Sequence, residues 1–348
     1  MHDKVTSGTY IPGRNHNQRI DLGGGATRFR KRIAGGGYDA KRRFNNLLLW
    51  DNLIEGHQSI RSPKILRSDS EAMELDFEWI ETAQPVHQLL HNEDGKRCSL
   101  LHSAILVVAE IHSIPGPWAG VARNPATRGA SVLRGIDVDE YARASGGELE
   151  LLSLFHSDNA LFEAANRLIA VRNGDSGREV LSHGDLRADQ FVLAAGGEIW
   201  VVDLEELCTA PPEFDLAHLY ASLVFMSVYD VFTVEQPDET ENERLDDLYL
   251  EEASVAIERG IDEISSLSQT YRSLTGAVLD NDLLTAELGW CLIERIISRA
   301  KLTAKVSAID KAIAGIGRQI MVDPAAVSKV IEGDSLANSP AADGGSDA

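Results

Sequence analysis

Residues 181–217 read LSHGDLRADQFVLAAGGEIWVVDLEELCTAPPEFDLA, and the pattern inside this stretch decides the fold. Phe191 to Leu193 is a short apolar run, Gly196-Gly197 is a turn signal, and Ile199 to Val202 is a second, β-branched run. Together they predict a β-hairpin. A hairpin brings the polar loop before its first strand against the loop after its second. His183, Asp185 and Gln190 then come beside Asp203, although 18 residues separate the two aspartates. Gln190 and Asp203 offer the hard oxygens that suit Mg2+, and Asp185 is left as a base. That combination suits phosphoryl transfer. Each residue also has an ordinary reading, since loop aspartates cap turns and a lone histidine is usually structural.

The rest of the composition narrows the setting. A chain of 348 residues with 43% hydrophobic and 25% charged side chains has room for two domains or one bilobal domain around an ample core. Cys98, Cys208 and Cys291 are odd in number and scattered. They form neither a disulfide framework nor a zinc spacing, so a reducing, cytoplasmic location is expected. The first residues, MHDKVTSGTYIPGRNHNQ, hold no apolar signal-peptide core, and no run of 18 apolar residues occurs anywhere; no membrane partner is expected. A net charge of −21 argues against nucleic acid, because a phosphate backbone demands a basic surface.

The ordered set His183-Gly184-Asp185, Gln190 and Asp203-Leu204-Glu205 resembles the catalytic core of the aminoglycoside phosphotransferase and choline kinase-like family, whose fold is that of protein kinases. Pro212 to Ala217, PEFDLA, is similar to the segment that usually follows. Gln190 departs from the usual asparagine, with the same amide oxygen on a stem one methylene longer. The resemblance covers roughly residues 20–300 and is specific between 181 and 217. It implies an α+β, bilobal protein-kinase-like fold, with a small antiparallel-sheet N-lobe and a larger helical C-lobe. The expected organisation is a flexible N-terminus at 1–18, a nucleotide-binding N-lobe at 19–83, a catalytic and acceptor-binding C-lobe at 84–325, and a disordered acidic tail at 326–348. It also implies ATP or GTP with Mg2+ as cofactors, Asp185 as catalytic residue, His183 and Asp215 as braces of the catalytic loop, and Arg187 at the position from which a lysine touches the transferring phosphate in protein kinases.

Upstream, QRIDLGGGATRFRKRI at 18–33 places Gly23, Gly24 and Gly25 between two short candidate strands. Three glycines allow a backbone to approach phosphates, although such triplets are more often plain hairpin turns. In the second strand, alternation puts Phe29, Lys31 and Ile33 on one face and Arg28, Arg30 and Arg32 on the other. By the resemblance, Lys31 is the strand lysine that meets the nucleotide phosphates. The next stretch, residues 38–56, has helical spacing at Phe44, Leu47 and Leu48. Relatives carry a glutamate on this helix to hold the lysine, and here Phe44 and Asn45 stand where it is expected, with Asp39 and Glu55 near the ends. Pro63 to Leu66 and Met73 to Ile80 read as further strands. Glu78 to Glu81 resembles the segment between the lobes whose backbone receives the nucleobase, which makes Glu81 a nucleotide-binding candidate.

Leu100 to His112 is a strongly apolar helix, and both His102 and His112 read as structural or surface residues. Residues 116–147 read as an irregular insert and Leu149 to Val171 as one amphipathic helix. After a largely apolar helix at 216–231, residues 230–263 carry thirteen Asp and Glu against Arg244 and Arg259. Trp290 to Ala300 and Ala304 to Ile320 supply closing helices. In the region where the family builds its acceptor site, the acidic stretch favours a small, cationic acceptor, although a solvated helix face has the same composition. Two other readings stand beside a small-molecule phosphotransferase. A protein Ser/Thr kinase needs an activation segment, for which the twelve residues from Asp203 to Asp215 leave little room. A catalytically impaired nucleotide-binding relative would explain Gln190 and the missing helix glutamate. From Asp334 the composition collapses to a polar tail that buries little apolar surface. Deleting residues 335–348 is expected to leave Tm and activity essentially unchanged, and a melt showing a loss of several degrees would mean that the tail docks.

Overall fold

The alternation in TRFRKR holds in the computed structural model. Phe29 and Ile33 pack with Phe44, Leu47, Leu75 and Phe77, and Lys31, only 4% exposed, lies on the same side between them. On the opposite face Arg30 grips the buried Asp76, with Nε and Nη2 donating at 2.7 and 2.9 Å. The structure describes residues 7–11, 14–92, 94–123, 129–174, 177–233 and 242–331.

Five antiparallel strands form the first sheet: β1 (Ser7–Ile11), β2 (His16–Asp21), β3 (Thr27–Arg32), β4 (Ile65–Asp69) and β5 (Glu74–Glu78), in the order β1-β2-β3-β5-β4. Helix α1 (Gly37–Leu53) lies between β3 and β4 in sequence and closes the core over the sheet with Ala40, Phe44 and Leu47. The sheet starts earlier than expected. Residues 1–18 read as flexible, yet β1 pairs with β2 from Ser7↔Asp21 to Ile11↔Asn17, because TYI supplies β-formers in an otherwise polar stretch. Residues 1–6 lie outside the described residues.

After β5 the chain passes through β6 (Gln84–Pro85), α2 (Val86–Asn92) and α3 (Asp94–His112), then α4 (Val138–Arg143), α5 (Gly146–His156) and α6 (Asn159–Asn173). The single helix expected over 149–171 is two, because Asp158 accepts from Leu161 N at 3.0 Å and starts a new helix. The stretch read as an irregular insert also contains a 3-10 turn at Ala130–Arg134 and α4, opened by a capping box of Asp137 and Glu140. Then follow β7 (Val180–Ser182), β8 (Phe191–Leu193), β9 (Ile199–Val201), β10 (Cys208–Ala210), α7 (Pro212–Thr233), α8 (Asn242–Thr275), α9 (Asn281–Ala300), α10 (Ala308–Val322) and α11 (Pro324–Ile331). Helix α11 falls inside the stretch read as a tail; residues 332–348, and 234–241 of the acidic segment, lie outside the described residues. No helix among the described residues is long and apolar enough to cross a membrane.

Two compact units are interleaved in sequence. The first, Met1–Pro125 with Asp175–Leu219 and Thr270–Ala277, contains the five-stranded sheet and the predicted hairpin. The second comprises Ala126–Gly174, Tyr220–Gln269 and Val278–Ala348. Within it, Arg172 Nε donates to the buried Glu287 at 2.5 Å, and α9 and α10 cross with backbones nearly touching. A Cβ on Gly289 would lie 2.7 Å from Gly317 O and 2.8 Å from Met321 N. Gly289→Ala is therefore expected to lower the free energy of unfolding by about 1–3 kcal/mol in urea titrations, since the helices must separate. Gly315→Ala on α10, where a Cβ meets nothing within 4 Å, is expected to be neutral or stabilising by up to about 1 kcal/mol. Equal effects of the two would show that the crossing is slack.

Candidate active site

The hairpin forms as the sequence predicts. Strand β8 pairs with β9 in the register Phe191↔Val201 to Leu193↔Ile199, and Gly197 turns with φ 86°. The peptide before Asp203 is held from both sides. Val202 N donates to Gln190 O at 2.9 Å, and Val202 O lies 2.9 Å from His183 Nε2. With Nε2 as donor, the ring's Nδ1 is left to accept from Asp185 N at 3.4 Å. Burial keeps this imidazole's pKa below its ordinary value, consistent with a neutral ring that donates at one nitrogen and accepts at the other.

Asp215 fixes the loop from beneath. Its carboxylate accepts from His183 N at 2.7 Å and Gly184 N at 3.1 Å. It also lies 3.1 Å from His112 Nε2, whose Nδ1 is 2.8 Å from the Tyr271 hydroxyl. Burial pushes the Asp215 pKa up, but the His112 hydrogen bond and neighbouring charge bring it below the usual carboxylate value. His112, read as a structural or surface residue, is thus part of this brace. Gly184 is required by geometry: φ is 87°, and a Cβ there would stand 2.0 Å from Glu206 O.

Asp185 and Arg187 form one pair. Arg187 Nη1 donates to both Asp185 oxygens at 2.6 Å, and its Nε donates to Asp189 at 3.0 Å. The Asp185 side chain is 42% exposed. Even so, desolvation by the surrounding protein pushes its pKa up to about 6, against the pull of Arg187. A carboxylate poised there can accept a proton near neutral pH.

Lys31 comes across from β3 and ion-pairs with Asp203. Its ammonium also lies 2.8 Å from Glu205 Oε2. Burial lowers the Lys31 pKa, but Asp203 and Glu205 outweigh it and leave the pKa raised. Asp203 has the opposite balance, burial raising and Lys31 lowering, and ends below its ordinary value. Its backbone is left-handed, φ 68°, a conformation aspartate tolerates better than most side chains. Asp203 and Gln190 give one carboxylate and one amide oxygen, linked through the Val202–Gln190 bond. Mg2+ takes few protein ligands and fills the rest with water and phosphate, so this donor set fits it. No cluster of three His, Cys, Asp or Glu able to hold a metal occurs among the described residues.

The other expected residues lie at the edges of the same unit. Gly23, Gly24 and Gly25 form the β2–β3 turn, all with positive φ, closed by Leu22 N donating to Ala26 O at 2.9 Å; Cβ atoms at Gly24 and Gly25 would meet nothing within 4 Å. Glu81 is exposed in the link from β5 to β6, where its carbonyl accepts from the Thr82 hydroxyl at 2.8 Å. Strand β6 then pairs with β8, joining the link to the hairpin. Sequence reading missed the surroundings of Lys31. Glu205, matched only as part of the Asp203-Leu204-Glu205 motif, contacts the lysine, and α1 contributes Arg43 and Asn46 rather than a glutamate. The one local hint was Asp39, four residues before Arg43, which pairs with it at 3.1 Å.

A family model described as "Phosphotransferase enzyme family" matches residues 7–254, whereas no curated protein matches the sequence. Among solved structures, choline kinase LicA from Streptococcus pneumoniae is similar over 92% of this chain and 94% of its own, with TM-score 0.57 and 13% identity. Spectinomycin phosphotransferase APH(9)-Ia, crystallised with ADP and spectinomycin, is similar over 91% and 92%, with TM-score 0.52 and 13% identity. These likenesses show the kinase-like α+β fold. With the family match covering most of the chain, the conclusion is that this protein belongs to the phosphotransferase enzyme family and is a phosphotransferase.

Proposed function

We propose that the enzyme transfers the γ-phosphoryl group of ATP or GTP to a hydroxyl of a small, cationic acceptor, in a Mg2+-dependent reaction. The observation that carries this reading is the Lys31–Asp203 ion pair, which sets a buried cation from β3 beside the carboxylate that follows the hairpin. ADP with spectinomycin in one similar structure, and AMP in a second structure of LicA, support a nucleotide with a small acceptor.

In this reading the amides of Gly23, Gly24 and Gly25 cover the phosphates, Lys31 neutralises them, and the link at Glu81 receives the base. Gln190 and Asp203 would hold Mg2+, which would supply positive charge for the phosphates. Asp185 orients the acceptor hydroxyl and takes its proton as the new P–O bond forms and the bond from the γ-phosphorus to the β-phosphate oxygen breaks, releasing ADP or GDP; the proton stays on the carboxyl until product leaves. Arg187 keeps Asp185 in place and brings a guanidinium to the transferring phosphate. Positive and negative charge are also separated along the chain. Residues 13–43 hold nine Lys and Arg against Asp21 and Asp39, whereas residues 230–263 carry −11 of the chain's −21. An anionic cosubstrate and a cationic acceptor, such as an amino sugar or an amine-bearing antibiotic, suit that separation.

Asp185→Asn is expected to keep fold and nucleotide affinity while losing on the order of a hundredfold or more in kcat; near-normal turnover would remove Asp185 from the role. The wild-type kcat/KM is expected to fall as pH drops through about 6, where Asp185 protonates. Arg187→Gln takes away the cation that lowers this pKa, so the acid limb should move to higher pH. Steering by the acidic segment is expected to make kcat/KM for cationic acceptors fall as salt shortens the Debye length to about 8 Å near 0.15 M. Equal salt response for neutral and cationic acceptors would reduce that segment to a solvated surface.

A further inference from the structure

A buried lysine needs a lasting counter-charge, and α1 does not provide one. Instead, this helix turns a cation inward. Arg43 is 2% exposed and every nitrogen of its guanidinium is engaged. Nε donates to Asp39 at 3.1 Å, Nη2 to Ala34 O at 2.5 Å, and Nη1 to Asn15 Oδ1 at 3.0 Å and Glu205 Oε1 at 3.4 Å. Glu205, 5% exposed, is correspondingly full. Its Oε2 receives Asn15 Nδ2 at 2.6 Å and Lys31 Nζ at 2.8 Å, and its Oε1 faces Arg43. The backbone on both sides is fixed as well, since Asn46 Nδ2 donates to Glu205 O at 2.9 Å and Leu207 O at 3.0 Å.

We infer that Glu205 is the positioning residue for the phosphate-binding lysine, itself anchored by Arg43 and Asn15, so that support for Lys31 comes from the loop after Asp203 and not from α1. The inference rests on the reading of Lys31 given under the proposed function. Of the two carboxylate side chains beside Lys31, that of Asp203 is the more open, 39% exposed against 7% for Glu205's, and would be the one to turn to the metal when substrate binds. Glu205 is the less free of the two for that task, being buried with contacts on both its oxygens. Its role is to keep the ammonium in place while Asp203 changes partner. A lone Glu205 would be a costly buried anion beside a single cation; Arg43 makes the group two cations bridged by one carboxylate, with Asp203 and Asp39 completing the balance. The connection from the helix to the lysine thus runs from the Arg43 cation through the Glu205 carboxylate.

The test is a double-mutant cycle read by calorimetric ADP affinity, KM for nucleotide and for acceptor, and thermal melting. Glu205→Gln is expected to weaken ADP binding roughly tenfold and to raise the nucleotide KM in step, with acceptor KM and the Mg2+ concentration for half-maximal activity unchanged. Arg43→Met should give a smaller loss in the same direction, and Glu205→Asp should recover part of the affinity. In a Lys31→Ala background, Glu205→Gln should cost nothing further. The variant Arg43→Met/Glu205→Gln, which drops one cation and one anion together, guards against a simple failure to fold. The inference is overturned if folded Glu205→Gln, or that double variant, binds ADP as the wild type does. It is equally overturned if the Glu205 effect persists undiminished without Lys31, or if the Mg2+ requirement rises as it would for a metal ligand. Should Lys31→Ala itself leave ADP affinity intact, the assignment of Lys31 to the phosphates fails first, a result distinct from a silent Glu205→Gln beside a damaged Lys31→Ala.

Discussion

The buried carboxylate of Asp215 is the constraint on which the site depends. It takes two consecutive backbone amides, those of His183 and Gly184, and a histidine side chain. An anion with that many donors resists protonation despite burial, and it gives the loop a fixed floor. From that floor His183 reaches the carbonyl of Val202, which sets where the hairpin's outgoing strand delivers Asp203. Asp185 projects from the same turn. The separation of Asp185 from Asp203 is therefore set by hydrogen bonds between buried side chains and the backbone.

What was legible in the sequence was whatever lies close together along it. The hairpin, its glycine turn, and Asp185, Gln190 and Asp203 fall within 37 residues (181–217), and local alternation places them. The face of Lys31 on its strand followed from the same period of two. Less legible were partners set by tertiary packing. Asn15 and Glu205 are 190 residues apart, Arg43 and Glu205 162, and His112 and Tyr271 159. No periodicity links such pairs, and looking for a glutamate on α1 pointed away from Arg43. The early strand β1 was missed for a different reason: edge strands are short and polar, and their pairing is decided by the neighbour.

Charge beside the hairpin is organised as alternation. Around the loop at 203–206, cations from Arg14, Lys31, Arg42 and Arg43 interleave with Asp39, Asp203, Glu205 and Glu206. Arg42 bridges Asp39 at 2.9 Å and Glu206 at 2.6 Å, so the outer layer repeats the inner one. Exposed members of such a network contribute little each. Their joint effect is to tie α1 to the loop at several points at once, through Arg42 to Glu206 and Arg43 to Glu205.

The contact at Gly184 acts as a mechanical stop. With a hydrogen as its only side chain it lets the turn bearing Asp185 press against Glu206 O, so the turn and the loop carrying Asp203 and Glu205 behave as one rigid block. Neither can move without displacing the other, and with it the lysine. Diversification of substrate choice in such an enzyme is thereby channelled away from the chemical block and into the surrounding segments, where insertions and new side chains leave the reacting groups undisturbed.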